Sequence, residues 1–255
     1  MISVFRDGRR GRDSVRAICS GGGDTGSPTA PPIPFWSRYR AVIFDCDDTI
    51  LATRRVRWSV LRKTARDLGR EVSEAQLRAN WGRPFDDLIK ALVPGIELQP
   101  FVRAYEEAME LHPPRATPGA KGLLHHLSRL GVRMHVLTSG SRRLILRDLG
   151  RLGLDRYFAS VYAYEDSTHW KPDPRAFDPV LRALKQEGYA LCEILSVGDS
   201  SLDCQAAQGA GLDFAAVTTG LDGSQIFLEL GLPPGRVFAT LAALMITVSR
   251  DRPGL

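Results

Sequence analysis

The chain has 255 residues, of which 44% are hydrophobic and 25% are charged, and its net charge is +5. This composition is typical of a globular protein, and the length allows a core domain with a smaller inserted domain. Since no apolar run reaches the roughly 18 residues of a membrane span and no basic stripe carries interleaved aromatic residues, we expect neither a membrane nor a nucleic acid as a partner.

Residues 1–37 are predicted to be a disordered N-terminal tail without a catalytic role. Three consecutive glycines at 21–23 and a proline-rich run at 28–34 interrupt any regular element. No apolar stretch follows the N-terminal arginines, so we expect no secretory signal. No CxxC pair is present, which favours free thiols in a reducing compartment and a cytoplasmic location. The cysteines are Cys19, Cys46, Cys192 and Cys204.

The first predicted strand is the run 41–44, whose four apolar residues are typical of a strand buried on both faces. It ends in the acidic segment 45–49, DCDDT. Ligands in open α/β sheets bind beyond the carboxyl ends of strands. Asp45 and Asp47 would also repel each other unless they shared a cation or a proton. The segment therefore indicates a functional site.

Residues 53–116 are predicted to form a helical domain inserted after this strand. Glycines and prolines at 69, 82–84 and 94–95 separate the helices. Much of the net positive charge lies in this insert, which favours a small anionic substrate. The residues that recur at helical spacing are Val56, Val60, Thr64 and Leu68, and then Phe101, Tyr105, Ala108 and Met109.

Strands and helices alternate after residue 118. Strands are predicted at 132–137, 161–163, 194–197 and 214–217, and helices at 123–130, 141–150, 174–187 and 202–209. Such alternation predicts an α/β fold with a parallel sheet and helices on both faces. The core would consist of residues 38–52 and 117–255.

Polar side chains follow several of these elements, at positions where a parallel sheet binds ligands. They are Asp45 and Asp47, Thr138 and Ser139, Lys171 just before a helix, and Asp199 and Asp203. One such strand end is a weak signal. The ordered set is specific, and we expect these side chains to lie in one site.

In this order the segments resemble the motifs of the haloacid dehalogenase-like hydrolase superfamily, across residues 39–245. The segment DCDDT resembles the first motif, DxDx[TV], and GDSSLD at 198–203 resembles the fourth, GDxxxD. The strand ending in Thr138 and Ser139 resembles the second motif, and Lys171 resembles the third. The resemblance implies a Rossmann-like core, and the helical insert resembles the α-helical C1 cap of the phosphatase branch.

The resemblance also implies catalysis through an aspartyl-phosphate. Asp45 would attack phosphorus, and Asp47 would protonate the leaving oxygen and then activate water. Mg²⁺ would be bound by the carboxylates of Asp45 and Asp199 and by the backbone carbonyl of Asp47, with Asp203 nearby. The phosphoryl oxygens would be held by Thr138, the backbone amide of Ser139 and Lys171.

Asp47 decides the reaction class, because the dehalogenase branch lacks this acid and a departing alkoxide needs one. We therefore expect a Mg²⁺-dependent phosphatase that hydrolyses a small-molecule phosphate monoester. A sugar phosphomutase of the β-phosphoglucomutase type stays an alternative, although Arg57 stands where that branch tends to carry His. A non-catalytic binding protein on the same fold is a third interpretation, and the intact motifs argue against it.

Two arginines of the insert are candidates for substrate specificity. Arg83 lies in a turn between Gly82 and Pro84, and Arg57 follows the first motif on a predicted helix, only one face of which can point at the site. Many relatives have Gly where this chain has Asp48. Since that side chain has no role in the implied chemistry, we expect the departure to affect only detail.

Overall fold

A parallel β-sheet forms the centre of the structure, a computed structural model that describes residues 35–251. The strands in chain order are β1 (Ala41–Phe44), β2 (Leu51–Ala52), β3 (Arg115–Ala116), β4 (Arg133–Leu137), β5 (Ser160–Tyr162), β6 (Ile194–Gly198), β7 (Asp213–Val217) and β8 (Val237–Phe238). One six-stranded sheet has the order β5-β4-β1-β6-β7-β8, and its neighbouring strands are parallel. The short strands β2 and β3 pair antiparallel outside it. This sheet confirms the predicted α/β fold class.

Helices surround the sheet and fill the chain between β2 and β3. Their bounds are α1 (Arg54–Asp67), α2 (Glu74–Asn80), α3 (Phe85–Leu92), α4 (Leu98–Leu111), α5 (Ala120–Arg129), α6 (Arg142–Leu152), α7 (Asp178–Gln186), α8 (Ser201–Gly209), α9 (Ser224–Glu229) and α10 (Leu241–Asp251). We refer to α1–α4 as the helical insert. Within residues 35–251, no helix combines the length and the apolarity needed to cross a membrane.

β1 is buried on both faces, as its unbroken apolar run predicts. Val42 and Phe44 belong to the hydrophobic cluster that α5 and α10 cover, whereas Ala41 and Ile43 belong to the cluster under α7, α8 and α9. Successive side chains of a strand point to opposite faces, so each apolar residue of β1 packs into one of the two layers. The strand is therefore held from both sides up to the residue that begins the acidic segment.

The helical insert has a hydrophobic cluster of its own. Phe101, Tyr105 and Met109 of α4 are buried in it, as their spacing predicts. The buried face of α1 differs from the prediction at its C-terminal end. The helix ends at Asp67, and Leu68, which was predicted to continue the apolar stripe, is 42% exposed.

The insert joins the rest of the fold through β2 and β3, where Ala52 pairs with Arg115. This pairing supports the predicted domain boundaries at residues 53 and 116, which stay a prediction. Leu144 of α6 packs into the hydrophobic cluster of the insert. The insert is therefore in direct contact with a helix that flanks the parallel sheet.

The strands predicted after β1 lie within one residue of the observed ones, whereas elements near the C-terminus were missed. β8 has only two residues and pairs with β7 at the sheet edge, so its sequence carries no strand periodicity. α9 and α10 were not predicted either. The predicted helix 174–187 begins as a 3-10 helix at Pro174–Phe177 and continues as α7.

The predicted N-terminal tail has a different boundary in the structure. Residues 1–34, which make up most of it, lie outside the described residues. Phe35–Arg38, however, forms a 3-10 helix, and Trp36 is only 6% exposed. Its ring contacts Phe238 edge-to-face, with the ring centroids 5.7 Å apart. The boundary predicted at residue 37 is therefore wrong, because burial of this large aromatic side chain places Trp36 in the core.

The cysteines that the structure describes fall into two groups. Cys46 and Cys204 are free and buried, as expected. Cys192 is disulfide-bonded, which differs from the expected free thiol. It lies half-buried in the short 3-10 helix Leu191–Glu193 and not inside the core. Its spacing from the other cysteines carries no recognisable disulfide or metal motif.

We expect Trp36→Ala to lower the free energy of unfolding by about 3–5 kcal/mol, the usual cost of truncating a buried aromatic side chain. Leu111→Ala is the control, because Leu111 is 79% exposed at the end of α4. Urea unfolding of the two variants measures the difference. A loss for Trp36→Ala as small as that of the control would contradict the assignment of Trp36 to the core.

Candidate active site

Asp45 follows β1 directly and begins the site. Its backbone N–H donates to the carbonyl of Val197 at 2.8 Å, which continues the pairing of β1 with β6. Its Oδ1 accepts a hydrogen bond from Lys171 Nζ at 2.8 Å. In the described part of the chain, Asp45 Oδ2 accepts no hydrogen bond. One carboxylate oxygen is thus held by the protein, and the other is available to a ligand.

The ammonium of Lys171 is fixed by three acceptors. It donates to Asp45 Oδ1 at 2.8 Å, to Asp203 Oδ1 at 2.5 Å and to the carbonyl of Leu137 at 3.0 Å. Burial disfavours the charged form, but the carboxylates of Asp203 and Asp45 outweigh it and raise the pKa of Lys171. Lys171 therefore stays protonated and links the ends of three segments.

Asp199 follows β6 and is held by two close neighbours. Its Oδ1 accepts a hydrogen bond from the hydroxyl of Thr49 at 2.6 Å. A Cβ atom placed on Gly220 would lie 1.7 Å from Asp199 Oδ2, so no side chain fits at that position. The close approach of a glycine is therefore part of what orients this carboxylate.

Asp203, in the first turn of α8, completes a group of three carboxylates. Its Oδ2 accepts hydrogen bonds from the backbone N–H and the hydroxyl of Ser200, at 3.1 and 2.6 Å, while Lys171 holds its Oδ1. Carboxylate oxygens of Asp45, Asp199 and Asp203 lie within 4.8 Å of one another. Since both oxygens of Asp203 have donors, Asp45 and Asp199 are the members with free ligand atoms.

The charges of this group do not balance. When all three carboxylates are ionised, they face one ammonium, that of Lys171, and the formal net charge of the group is then about −2, three negative charges against one positive. Burial raises the pKa of Asp45 to about 7, with Asp203 and Asp47 adding to the effect and Lys171 opposing it. Burial also raises the pKa of Asp199 well above its ordinary value, and the charges of Asp45 and Asp203 add to it. Oxygen ligands and a charge deficit of this size fit a hard divalent cation.

Asp47 lies beside this group and has a partner of its own. Its Oδ2 accepts a hydrogen bond from Arg57 Nη1 at 2.8 Å, and Arg57 is 4% exposed on α1. A Cβ atom on Gly140 would lie 3.0 Å from Asp47 Oδ2 and 3.3 Å from Arg57 Nη1. Arg57, proposed from the sequence as a substrate-binding residue, therefore contacts the candidate acid/base instead of standing free in the cavity.

Asp48 has a structural role that the sequence did not reveal. Its φ is +58°, in the left-handed region where glycine is favoured and Asp is tolerated. Its Oδ1 accepts hydrogen bonds from the backbone N–H groups of Thr53 and Arg54, at 3.1 and 3.0 Å. The carboxylate thus satisfies N–H groups at the start of α1. The departure from Gly preserves the turn and adds a cap to the helix.

Thr138 and Ser139 approach the same place from the end of β4. Thr138 is 3% exposed, its N–H donates to the carbonyl of Tyr162 at 2.9 Å, and its Oγ1 accepts from Gly140 N–H at 3.0 Å. Among residues 35–251 no acceptor binds the hydroxyl hydrogen of Thr138, so it can be donated to a ligand. Ser139 is half-buried and lines the cavity described next.

One cavity of about 440 Å³ brings all the predicted site residues together. They are Asp45, Asp47, Arg57, Arg83, Thr138, Ser139, Lys171, Asp199 and Asp203. Arg83 is exposed in its turn between α2 and α3. The lining also includes residues that the sequence did not single out, namely Arg78, Trp81, Phe85, Leu221 and Asp222. No motif marks them, and only the aromatic residues on either side of Arg83, Trp81 and Phe85, could have suggested part of this lining.

Comparisons with known proteins agree with this geometry. Residues 42–217 match the family model described as haloacid dehalogenase-like hydrolase. The candidate pyrophosphatase PpaX of Clostridium perfringens is 30% identical over 176 residues, which are 68% of this chain and 80% of that protein. The phosphoglycolate phosphatase of Thiobacillus denitrificans is 27% identical over 229 residues, which are 85% of this chain and 97% of that protein.

Solved structures give the same result. A candidate haloacid dehalogenase-like hydrolase from Bacteroides fragilis superposes with a TM-score of 0.68 and 27% identity, and the match covers 81% of this chain and 99% of that one. The segment that matches the family model runs from β1 to β7 and contains the four motif segments and the helical insert. The chain therefore belongs to the haloacid dehalogenase-like hydrolase family.

Proposed function

We propose that the protein is a Mg²⁺-dependent phosphatase that hydrolyses a small phosphate monoester through an aspartyl-phosphate on Asp45. One observation carries the proposal above the others. Asp45 has one oxygen held by Lys171 and the other without a donor in the described part of the chain, and it faces the same cavity as Asp47. A nucleophile and an acid/base are thus next to each other, in different surroundings.

The proposed reaction has two steps. In the first, one carboxylate oxygen of Asp45 forms a bond to phosphorus while the bond from phosphorus to the leaving oxygen breaks, and Asp47 gives that oxygen a proton. In the second, Asp47 takes a proton from water, the water oxygen bonds to phosphorus, and the bond from phosphorus to Asp45 breaks. Inorganic phosphate is released, and both carboxyl groups return to their starting state.

The phosphoryl group would be bound by Lys171, Thr138 and Ser139. The ammonium of Lys171 lies 2.8 Å from Asp45 Oδ1, so it offsets the repulsion between the nucleophile and an anionic ester. The hydroxyl hydrogen of Thr138 has no acceptor among the described residues, and Ser139, whose backbone amide would bind a phosphoryl oxygen, lies half-buried just after β4. These groups are in place before a ligand arrives, which limits the reorganisation that binding requires.

Mg²⁺ would be held by the carboxylates of Asp45 and Asp199 and by the backbone carbonyl of Asp47. The fit rests on the oxygen-only donor set and on the charge of about −2 that Lys171 leaves unbalanced. When bound, the ion supplies Lewis-acid stabilisation of the phosphoryl oxygens. Asp203 would act outside the coordination shell, because Ser200 and Lys171 occupy its oxygens.

A small phosphorylated metabolite is the proposed substrate. Two of the relatives carry the names pyrophosphatase and phosphoglycolate phosphatase, and the substrates so named are small and anionic. Arg83, exposed in the turn that lines the cavity, is the proposed specificity residue on the insert. The cytoplasmic location stays a prediction from the sequence.

Phosphate release from a panel of phosphate monoesters, with and without Mg²⁺, tests the proposed function. We expect turnover with Mg²⁺, its loss in excess EDTA, and its recovery when Mg²⁺ is added back. Mg²⁺ should also raise the melting temperature, since it binds the folded site. Full turnover after exhaustive chelation would contradict the metal assignment. Interconversion of sugar phosphates with little phosphate release would instead support the phosphomutase alternative.

Gly220→Ala should weaken the metal site without unfolding the protein. The new Cβ would lie 1.7 Å from Asp199 Oδ2, so the carboxylate must move. We expect the Mg²⁺ concentration for half-maximal activity to rise about 10–100-fold, as for other changes to groups that orient metal ligands. Gly223→Ala is the control in the same loop, because nothing lies within 4 Å of its Cβ position. Equal Mg²⁺ dependence in the two variants would refute the role of Gly220.

Asp47→Asn should separate the two steps. An alkyl phosphate needs a proton on its departing oxygen, so kcat/KM for such an ester should fall by about 10²–10⁴-fold. An aryl phosphate leaves as a stable phenolate and should still phosphorylate the protein. We expect a burst of p-nitrophenol, equal to the enzyme concentration, followed by slow turnover. The same fractional loss of kcat/KM for both esters would be incompatible with Asp47 as the general acid.

A further inference from the structure

We propose that Arg57 is a positioning residue that orients the carboxylate of Asp47 for proton transfer and does not bind the substrate. The inference rests on the proposed function, since it concerns the same acid/base. It assigns different tasks to the two oxygens of Asp47. Arg57 holds Oδ2, and Oδ1 exchanges the proton with the leaving oxygen and with water.

The contact between Arg57 and Asp47 is short and shielded. Arg57 Nη1 lies 2.8 Å from Asp47 Oδ2, and the two side chains are 5% and 18% exposed. Breaking a buried ion pair leaves an uncompensated charge away from water, which is strongly unfavourable. The geometry therefore favours a persistent hydrogen bond from Arg57 to Asp47 Oδ2, which the carboxyl group can accept whether or not Oδ1 carries the proton. The exposed ion pairs elsewhere on α1, such as Lys63 with Asp67, are not held in this way.

The pair is enclosed by the loop that follows β4. The Cβ position of Gly140 lies 3.0 Å from Asp47 Oδ2 and 3.3 Å from Arg57 Nη1, closer than most Cβ contacts in proteins. A side chain at residue 140 would have to displace the pair. The ion pair is thus packed between the acidic segment, α1 and the loop of Thr138, and the loop leaves little room for either partner to turn away.

The rest of the guanidinium is buried, and Tyr105 of α4 and Asp148 of α6 act on it electrostatically. Within the residues that the structure describes, Arg57 Nε and Nη2 have no hydrogen-bond partner, and neither do Tyr105 Oη and Asp148 Oδ2. Asp148 is itself fixed, because its Oδ1 accepts from Arg147 Nε and Nη2 at 2.9 and 2.6 Å. The charge of Asp148 attracts Arg57 in addition to the stronger attraction of Asp47, and both raise the pKa of Arg57 against the effect of burial.

These contacts select Asp47 Oδ1 as the reactive atom. It is buried, has no hydrogen-bond partner in the part of the chain that the structure describes, and belongs to a residue that lines the cavity. A carboxylate held at one oxygen has its other oxygen fixed in direction, which is what proton transfer in the transition state requires. Since Arg57 lies on the first helix of the insert, the insert would set the orientation of the acid/base.

The test compares Arg57→Met, which removes the donor, with Arg57→Lys, which keeps a positive charge. Arg62→Met is the matched control, because Arg62 is exposed on the same helix. Single-turnover release of the leaving group, with enzyme in excess, gives a rate constant and a half-saturation concentration for an alkyl phosphate and for p-nitrophenyl phosphate. The melting temperature of each variant is measured alongside.

For Arg57→Met we expect the rate constant for the alkyl ester to fall about 100-fold, since misplacement of a catalytic group by about 1 Å has this effect. The rate constant for the aryl ester should fall less than about 10-fold, because its leaving group needs no proton. Half-saturation should change little for either ester. Arg57→Lys should recover part of the alkyl rate, and Arg62→Met should match the unmodified protein. A crystal structure of Arg57→Met should find the Asp47 carboxylate rotated.

Equal losses of the rate constant for the two esters in Arg57→Met would overturn the proposal. A raised half-saturation concentration at an unchanged rate constant would also overturn it, because Arg57 would then be a substrate-binding residue. If Arg57→Met fails to fold, the test rests on Arg57→Lys. A lowered ratio of the alkyl rate constant to the aryl rate constant would support the positioning role. A ratio as high as that of the unmodified protein, with a raised half-saturation concentration, would contradict it. Absence of turnover of both esters by the unmodified protein with Mg²⁺ would instead refute the proposed function.

Discussion

Repulsion among three buried carboxylates is the constraint on which the rest of the structure depends. The order of the sheet places β1 between β4 and β6, so Asp45, Asp199 and the loop of Thr138 must meet at one edge. Parallel strands on both sides of β1 make this the point where ligands bind in such sheets. A single ammonium, from Lys171, cannot balance the charge that results. The proposed Mg²⁺, held by the carboxylates of Asp45 and Asp199, would offset this deficit.

The acidic segment also connects this charge to the helical insert. Within a few residues it follows the central strand, contains the proposed nucleophile and the proposed acid/base, and caps the start of α1. Asp48 connects the acidic segment to α1. Its left-handed backbone turns the chain, and its carboxylate accepts hydrogen bonds from the N–H groups of Thr53 and Arg54 at the start of the helix. α1 then returns Arg57 to Asp47. The start of the insert and the chemistry of the site are therefore determined by the same short stretch of chain.

Much of this arrangement was predictable from the sequence, because it follows from local patterns. The apolar run 41–44 identified a strand buried on both faces, and polar residues after the strands identified the edge where they meet. Contacts between distant segments carried no such pattern. Gly220 matters only because Asp199 lies against it, and nothing in the chain near residue 220 indicates that.

Arg57 and Trp36 are two further positions where the sequence pattern did not predict the contact that the residue makes. Helical spacing predicts that Arg57 lies on a face that can reach the site. Spacing does not predict which group Arg57 contacts there, and in the structure that group is Asp47. Trp36 was assigned to the tail because glycines and prolines precede it, yet its burial against Phe238 outweighs that local tendency. In both cases a tertiary contact determines where the side chain packs, and the local composition of the chain does not predict that contact.

The most direct test of the account is to identify the atom that carries the phosphoryl group during turnover. The unmodified protein would be mixed with Mg²⁺ and an aryl phosphate, quenched in acid within the first turnover, and treated with borohydride, which reduces an aspartyl-phosphate to homoserine. Peptide mass spectrometry then locates the changed residue. The account predicts homoserine at residue 45, together with its absence in Asp45→Asn. Modification at any other residue, or phosphate release at full rate by Asp45→Asn, would contradict it.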